Sequence, residues 1–346
     1  MATIKEIAKL TNVSSSTVSR VLNNDETISV QTDTRNRILE AAKKLGYKTI
    51  YERRMEQKRK NKGKDELTVS ILLCHSVQEE LSDPYFFSIR QGIEEELANL
   101  NINTTTFRLY EGMGNQLQHD LDGLIIVGRI NDQTLKTVSN HIENVVYVNH
   151  SPDSNRYDAV VIDFEKATER ALQQFINSGY KSIGYIGGTE REHMTNQMVV
   201  MEDMRLTTFI KTMKENNKFN SDNIFIGEYT MAEGYNLMKS ALQLPSVPEA
   251  FFIASDPMAI GALRALQEVN LLVPEDLAII SFDDIEIAKF ASTPLTTVKV
   301  HTKEMGRLGV KLLLDRINGR EIPLTVTVPT ELIIRQSCGT KYLSKN

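Results

Sequence analysis

Two hydrophobic rhythms divide this chain. Between Thr3 and Gly46 apolar residues recur at helical spacing: Ile7 and Ala8, then Val13, Val18, Val21 and Leu22, then Ile38, Ala41, Ala42 and Leu45. Thr3 with Glu6 three residues later predicts a capping-box start for a first helix. Asn12 falls where a tight turn needs a left-handed residue, and Ser14 can cap a second helix. A third helix is expected to start at Ser29 or Thr32 and to stop at Gly46. Two short helices joined by a tight turn predict an all-α helix–turn–helix over residues 1–48. In that motif the start of the second helix enters the major groove of double-stranded DNA. Ser14, Ser15, Ser16, Thr17 and Arg20 are the candidate DNA-binding residues.

From Leu67 onward short, near-continuous apolar runs alternate with helical patterns. Strands are predicted at 67–74, 123–127, 145–148, 159–162, 182–186, 250–254 and 277–282, with helices at 86–100 and 166–178. Apolar strands separated by helices indicate parallel sheets covered on both faces. A stretch this long exceeds one small sheet, so two doubly wound α/β subdomains are expected. Their ligand would lie in a cleft at the carboxyl ends of the strands.

Residues 49–64 have no apolar face to bury and are rich in Lys and Arg, with Met55 among the charges. Their composition fits two readings: a solvated linker, or a short helix that orders on DNA with Met55 wedged into a minor-groove step. Up to Lys64 there are fifteen Lys and Arg against seven Asp and Glu; beyond it there are twenty-five against thirty-eight. The net charge of −5 therefore hides a basic N-terminal module on an acidic body. Basic charge on a small helical module is the footprint of phosphate binding.

No run has the length and apolarity of a membrane span, and no secretory signal precedes the basic module. Cys74 and Cys338 are too far apart in sequence to suggest a disulfide framework or a zinc site. The expected location is the cytoplasm, in association with the nucleoid. Enzyme chemistry finds no support. The six histidines show no metal-ligand spacing, and Gly187-Gly188-Thr189 lacks the lysine of a phosphate loop. Asp283-Asp284 is an adjacent pair that would rarely aim both acids at one bond. No metal or cofactor is expected.

The motifs Thr3-Ile4-Lys5-Glu6-Ile7-Ala8 and Val18-Ser19-Arg20-Val21-Leu22-Asn23 resemble the lactose/galactose repressor family of bacterial transcription regulators. So do Asp83-Pro84-Tyr85-Phe86, Gln91-Gly92-Ile93-Glu94, Ile183-Gly184-Tyr185-Ile186-Gly187-Gly188, Ser255-Asp256-Pro257-Met258-Ala259-Ile260-Gly261-Ala262, Phe282-Asp283-Asp284 and Pro294-Leu295-Thr296-Thr297-Val298. Each motif alone is weak; in this order, along the whole chain, they are specific. The resemblance implies a periplasmic-binding-protein-like core over 65–346 whose chain crosses three times between subdomains, near Asp163, Thr293 and Pro323. The N-terminal subdomain would comprise 65–163 and 294–323, and the C-terminal subdomain 164–293 and 324–340.

The resemblance also implies roles. Ser15, Ser16 and Arg20 fall on base-reading positions, and the Arg20 fork fits O6 and N7 of guanine. In the hinge, Arg53 and Met55 stand near the family's arginine and minor-groove leucine, and Glu52 departs from its alanine. Tyr85, Phe86, Asn149, Arg205, Ser255 and Asp283 match effector-binding positions. Aromatic faces with Asp, Asn and Arg suit a sugar, since they supply apolar surface and a fan of polar partners for hydroxyls.

Thr208 replaces a family glycine, Val300 stands where some sugar-sensing members have a polar side chain and His301 follows it, and 110–120 is shorter than the family's helix. With residues 151–158, these features look most like the branch that senses galactose or β-galactosides. A homodimer on a palindromic operator is expected, because one short helix reads too few base pairs for specificity. The residues after Gly339 lack the heptads on which tetramers are built. Three alternatives stand beside a sugar-induced repressor: a co-repressed regulator, one activated by a phosphorylated carrier protein, and a sugar-binding protein with no regulatory role.

Overall fold

The computed structural model describes residues 3–22, 30–47, 67–109, 121–138, 142–193 and 198–339. The candidate hinge at 49–64, with Arg53 and Met55, lies outside these residues, as do Ser29 and all of 110–120. The chain divides into two compact units, Met1–Glu66 and Leu67–Asn346.

In the first unit, helices α1 (Ile4–Thr11), α2 (Ser15–Leu22) and α3 (Thr32–Lys44) enclose Ile7, Val18, Val21 and Ile38. The Thr3 hydroxyl accepts the Glu6 amide at 3.3 Å while Glu6 Oε2 accepts the Thr3 amide at 2.7 Å, completing the capping box. Asn12 takes φ 54°, the left-handed turn that its short amide tolerates. Ser14 Oγ then accepts the Thr17 amide at 3.1 Å and caps α2. Arg37 reaches the Thr11 carbonyl at 3.0 Å and ties α3 to the end of α1. The cap of α3 differs from the expected serine or threonine: Gln31 precedes the helix without a side-chain bond, and Thr32 is its first residue. Gly46, at φ 60°, ends it as expected.

The second unit holds two six-stranded sheets. The first contains β1 (Thr68–Leu73), β2 (Asn103–Arg108), β3 (Gly123–Val127), β4 (Val145–Val148), β5 (Asp158–Ile162) and β13 (Thr325–Val328). They run parallel in the order β13-β5-β4-β3-β1-β2. The second contains β6 (Ile183–Gly188), β9 (Ile224–Gly227), β10 (Ala250–Ile253), β11 (Ala278–Asp283), β12 (Thr296–Lys299) and β14 (Glu331–Ile333). Its order is β14-β12-β11-β10-β6-β9, with only β14 antiparallel. A hairpin of β7 (Arg191–His193) and β8 (Met198–Val200) follows β6.

Helices cover both sheets: α4 (Val77–Ser82), α5 (Pro84–Asn99), α6 (Asp132–Val138) and α11 (Thr302–Ile317) the first; α7 (Phe164–Asn177), α8 (Met204–Glu215), α9 (Met231–Ala241) and α10 (Asp256–Glu268) the second. The double covering is visible inside β3. Ile125 and Val127 join one core while Leu124 and Ile126 join another, because successive strand side chains point to opposite faces. Each such side chain contributes about 1.5–3 kcal/mol by leaving water.

Three crossings join the subdomains, and two fall later than expected. The first is at Asp163, which caps α7 through the Lys166 amide at 2.9 Å. The second is at Val300–His301 rather than Thr293, because β12 still pairs with β11 in the second sheet. The third is at 329–330 rather than Pro323, because β13 pairs with β5 and only β14 returns to β12. The expected bounds put Thr296–Lys299 and Thr325–Val328 in the opposite subdomains: both are short and rich in threonine, so the pattern does not show which sheet each joins.

Candidate functional site

On α2, Ser15, Ser16 and Arg20 are exposed and Thr17 is half-buried, whereas Val18 and Val21 face the core. Ser14 Oγ lies 2.8 Å from both Ser16 Oγ and Thr17 Oγ1, so the hydroxyls cluster at the amino end of the helix. That end carries unpaired amides and a partial positive charge, suited to a phosphate. Arg20 stands one turn further on, in the last turn of α2.

In the second unit, a cavity of about 220 Å³ opens where the strands of both sheets end. The N-terminal subdomain brings His75 after β1, Asp83, Tyr85 and Phe86 at the start of α5, and Asn149 after β4. The C-terminal subdomain brings Phe164, Glu190, Arg205, Tyr229 and Asp283. Five of the six residues singled out for the effector therefore border one space.

Backbone conformation fixes two of them. Asn149 has φ 69° and Asp283 φ 113°, values that side chains rarely adopt and that cluster at functional positions. Asn149 Oδ1 accepts the Tyr85 hydroxyl at 2.8 Å, locking the end of β4 to α5. The Phe86 ring stacks on His75 with centroids 3.6 Å apart and meets Tyr85 edge-on. Flat apolar faces thus stand beside polar groups.

Arg205 is the most constrained side chain of the site. Its Nε donates to Asp203 Oδ1 at 3.0 Å, Nη1 to the Ala254 carbonyl at 3.0 Å, and Nη2 to Glu190 Oε1 at 2.5 Å. Phe164, Tyr229 and Phe282 stack around its guanidinium, which lies 4.9–5.7 Å from their ring centres. Burial opposes its charge, but Asp203, Tyr229 and Glu190 outweigh that and raise its pKa well above the usual value. Asp203 is held below the ordinary carboxylate range, Arg205 outweighing the effect of burial.

The remaining acids behave differently. Asp83 caps α5 through the Tyr85 amide at 3.1 Å, and burial pushes its pKa up to about 6. Asp283 is driven well above the carboxylate range by burial and by the facing charge of Asp83. Arg191 is paired with Glu228. Among the described residues both cavity arginines are thus matched to carboxylates, while Asp83 and Asp283 have no ion-pair partner. Asp83 and Asp283 can therefore hydrogen-bond sugar hydroxyls, while neither cavity arginine is left as a spare cation for an anion.

Ser255 is the exception among the expected effector residues. It is 1% exposed, does not border the cavity, and its hydroxyl accepts the Met258 amide as the cap of α10. A serine before Asp-Pro is read equally well as a cap or a ligand from sequence, and here the helix takes it. The expectation missed Asp203, Glu190 and Tyr229. Asp203 had a signal, since an acid two residues before an arginine can cap the helix and pair with that arginine. Arg53 and Met55 fall outside the described residues.

Residues 3–49 match the bacterial regulatory proteins of the lacI family, and 172–338 match the periplasmic binding protein-like domain. The HTH-type transcriptional repressor MelR of Bacillus subtilis is 49% identical over 343 residues, covering 98% of each chain. GanR of the same organism, an HTH-type transcriptional regulator, is 36% identical, covering 97% of this chain and 99% of its own. GalR of Lacticaseibacillus casei is 34% identical, with the same coverage. Among solved structures, the lac repressor dimer bound to operator and an anti-inducer superposes with a TM-score of 0.68 at 22% identity, covering 97% of this chain and 98% of that one. A cellobiose complex of the regulator CelR gives 0.67 at 24% identity, covering 97% and 100%.

Proposed function

The chain belongs to the lacI family of bacterial regulatory proteins, and on that premise we propose a homodimeric repressor that leaves a palindromic operator when a galactoside enters its cleft. The family is one of DNA-binding regulators rather than enzymes. The observation that carries the proposal is the composition of the cavity: Tyr85 and Phe86 supply ring faces, and Asn149, Arg205 and Asp283 supply polar partners from both subdomains. A ligand touching both subdomains favours one closure over another, to the extent that it binds the two differently.

Ser15, Ser16 and Arg20 read base edges in each half-site, with Ser14 and Thr17 ordering the start of the helix. Residues 49–64 act as a hinge, Arg53 on phosphates and Met55 in the central minor-groove step. Closure of the cleft separates the two hinges of the dimer, so Met55 no longer wedges from both sides and the operator is released. The protein acts on chromosomal DNA in the cytoplasm, without metal or cofactor.

The effector is a neutral, unphosphorylated sugar, because among the described residues both cavity arginines are already matched to carboxylates and no spare cation remains for a phosphate. The relatives MelR and GanR support a galactoside-related sugar, as do residues 151–158. A thermal-shift screen should find galactose or a galactoside stabilising the full-length protein, and galactose 6-phosphate without effect. Stabilisation by the phosphorylated sugar alone would reject this assignment.

A further inference from the structure

Glu190 is divided between two arginines that belong to different subdomains. Its Oε1 accepts from Arg205 Nη2 at 2.5 Å, and Arg205 is carried on the same subdomain by α8. Its Oε2 lies 3.6 Å from Nε of Arg129, which follows β3 in the other subdomain. Arg129 and Glu190 are about one-fifth exposed, so their charges are partly shielded from water. A second contact runs beside the first: Asn131 Nδ2 donates to Glu192 Oε2 at 3.3 Å. Asn131 is itself fixed, because its Oδ1 accepts the Thr134 amide at 2.9 Å at the start of α6. Glu192 lies on β7, so the hairpin that follows β6 reaches across to the β3–α6 turn.

We propose that the chain Arg129–Glu190–Arg205, seconded by Asn131–Glu192, is a latch across the cleft, with Glu190 as the positioning residue that couples cavity occupancy to closure. The inference rests on reading the cavity as the effector site. Arg205 and Glu190 move together on one rigid subdomain, so opening the cleft leaves their bond intact. Opening must instead break Glu190–Arg129 and Glu192–Asn131. Arg129 does not border the cavity. It therefore reports closure without touching a ligand, whereas Arg205 does both. A sugar hydroxyl that engages Arg205 holds Glu190 in the position from which Oε2 meets Arg129, so occupancy strengthens the latch.

The test uses the full-length protein spin-labelled at Gln133→Cys on α6 and Val200→Cys on β8, both exposed positions; the native Cys74 and Cys338 are buried. Distances are measured without sugar and at saturating galactose. The parent should hold a short, narrow population beside a longer one, and galactose should enlarge the short one. Arg129→Met and Glu190→Gln should each lose it to longer distances, and the double variant should go no further than either single one. Glu192→Gln, in the second contact, should shift the distribution the same way by less, and serves where a first-contact variant does not fold.

Unchanged distributions in these variants, or additive shifts in the double variant, would overturn the latch. A second arm measures operator affinity with and without galactose. Arg129→Met should shrink the sugar-induced fall by about fivefold or more, and the operator's effect on galactose affinity should shrink by the same factor, as linkage requires. If the parent ignores every sugar, the effector reading fails, and the distance arm alone still decides the latch.

Discussion

Arg205 meets Asp203 in a two-point contact, Nε to Oδ1 at 3.0 Å and Nη2 to Oδ2 at 3.1 Å, with both side chains buried. The pair is part of the architecture as well as of the candidate site. Removing one member leaves the other charge buried and uncompensated, which costs about 3–5 kcal/mol. Arg205→Ala should therefore lower the free energy of urea unfolding by that amount and also abolish the sugar response. Arg205→Lys should keep part of the stability and still lose the response, since an ammonium lacks the planar fork. A loss below about 1 kcal/mol for the alanine variant would show that the pair behaves as a surface ion pair.

Much of this fold is legible in the sequence. The strands at Gly123–Val127 and Val145–Val148 stand where their apolar runs predicted, because a strand covered on both faces has no polar positions to blur it. The pattern does not show Asn103–Arg108, an edge strand with polar, mostly exposed side chains, the short hairpin after β6, or the short strands Ile224–Gly227, Thr296–Lys299, Thr325–Val328 and Glu331–Ile333. Tyr85, Asn149 and Asp283 could be placed together because each follows a recognisable motif. Glu190 could not: its role depends on Arg129 and Arg205, and that three-way meeting is made by tertiary packing rather than by spacing. Ser255 failed for the converse reason, since a purely local role, capping, claims its hydroxyl.

For DNA reading, Arg20→Ala should lower operator affinity by about 1–3 kcal/mol per half-site and leave binding to random duplex nearly unchanged. Substituting the cations at 53–62 should instead weaken binding to every duplex and flatten its salt dependence. Fluorescence anisotropy at several salt concentrations separates the two. Equal losses of Arg20→Ala on operator and random DNA would remove its base-reading role.

Asp83 predicts a pH dependence. Its folded pKa, pushed up to about 6 by burial, exceeds the value near 3.9 of an unfolded aspartate. Between these values the folded state holds the extra proton, so this residue's contribution to stability grows as pH falls through about 6 and is lost as pH rises. Asp83→Asn keeps a good helix cap and removes the titration. Relative to the parent, the variant should gain stability on going from about pH 5 to about pH 8, as measured by urea unfolding. A constant difference across that range would contradict the assignment.

Helices α5 and α11 cross with Gly92 against the Lys303 backbone and Gly306 against the Ile89 carbonyl, and a methyl group at either glycine would overlap those atoms. Backbone cannot yield as a flexible side chain does. Gly92→Ala should therefore cost about 1–3 kcal/mol or more by overpacking, although alanine is the better helix former. A thermal scan showing equal or higher stability would mean that the helices separate freely, and that this face of the N-terminal subdomain is not rigid.

On the proposed reading, a neutral sugar in the cleft releases DNA. The most direct measurement titrates the complex of the full-length protein with its labelled operator, at fixed salt, with galactose and with α- and β-galactosides. Operator affinity should fall by about 5–150-fold at saturating sugar, and Arg205→Lys should not respond. An affinity that stays constant, or rises, with every sugar that binds the protein would contradict it.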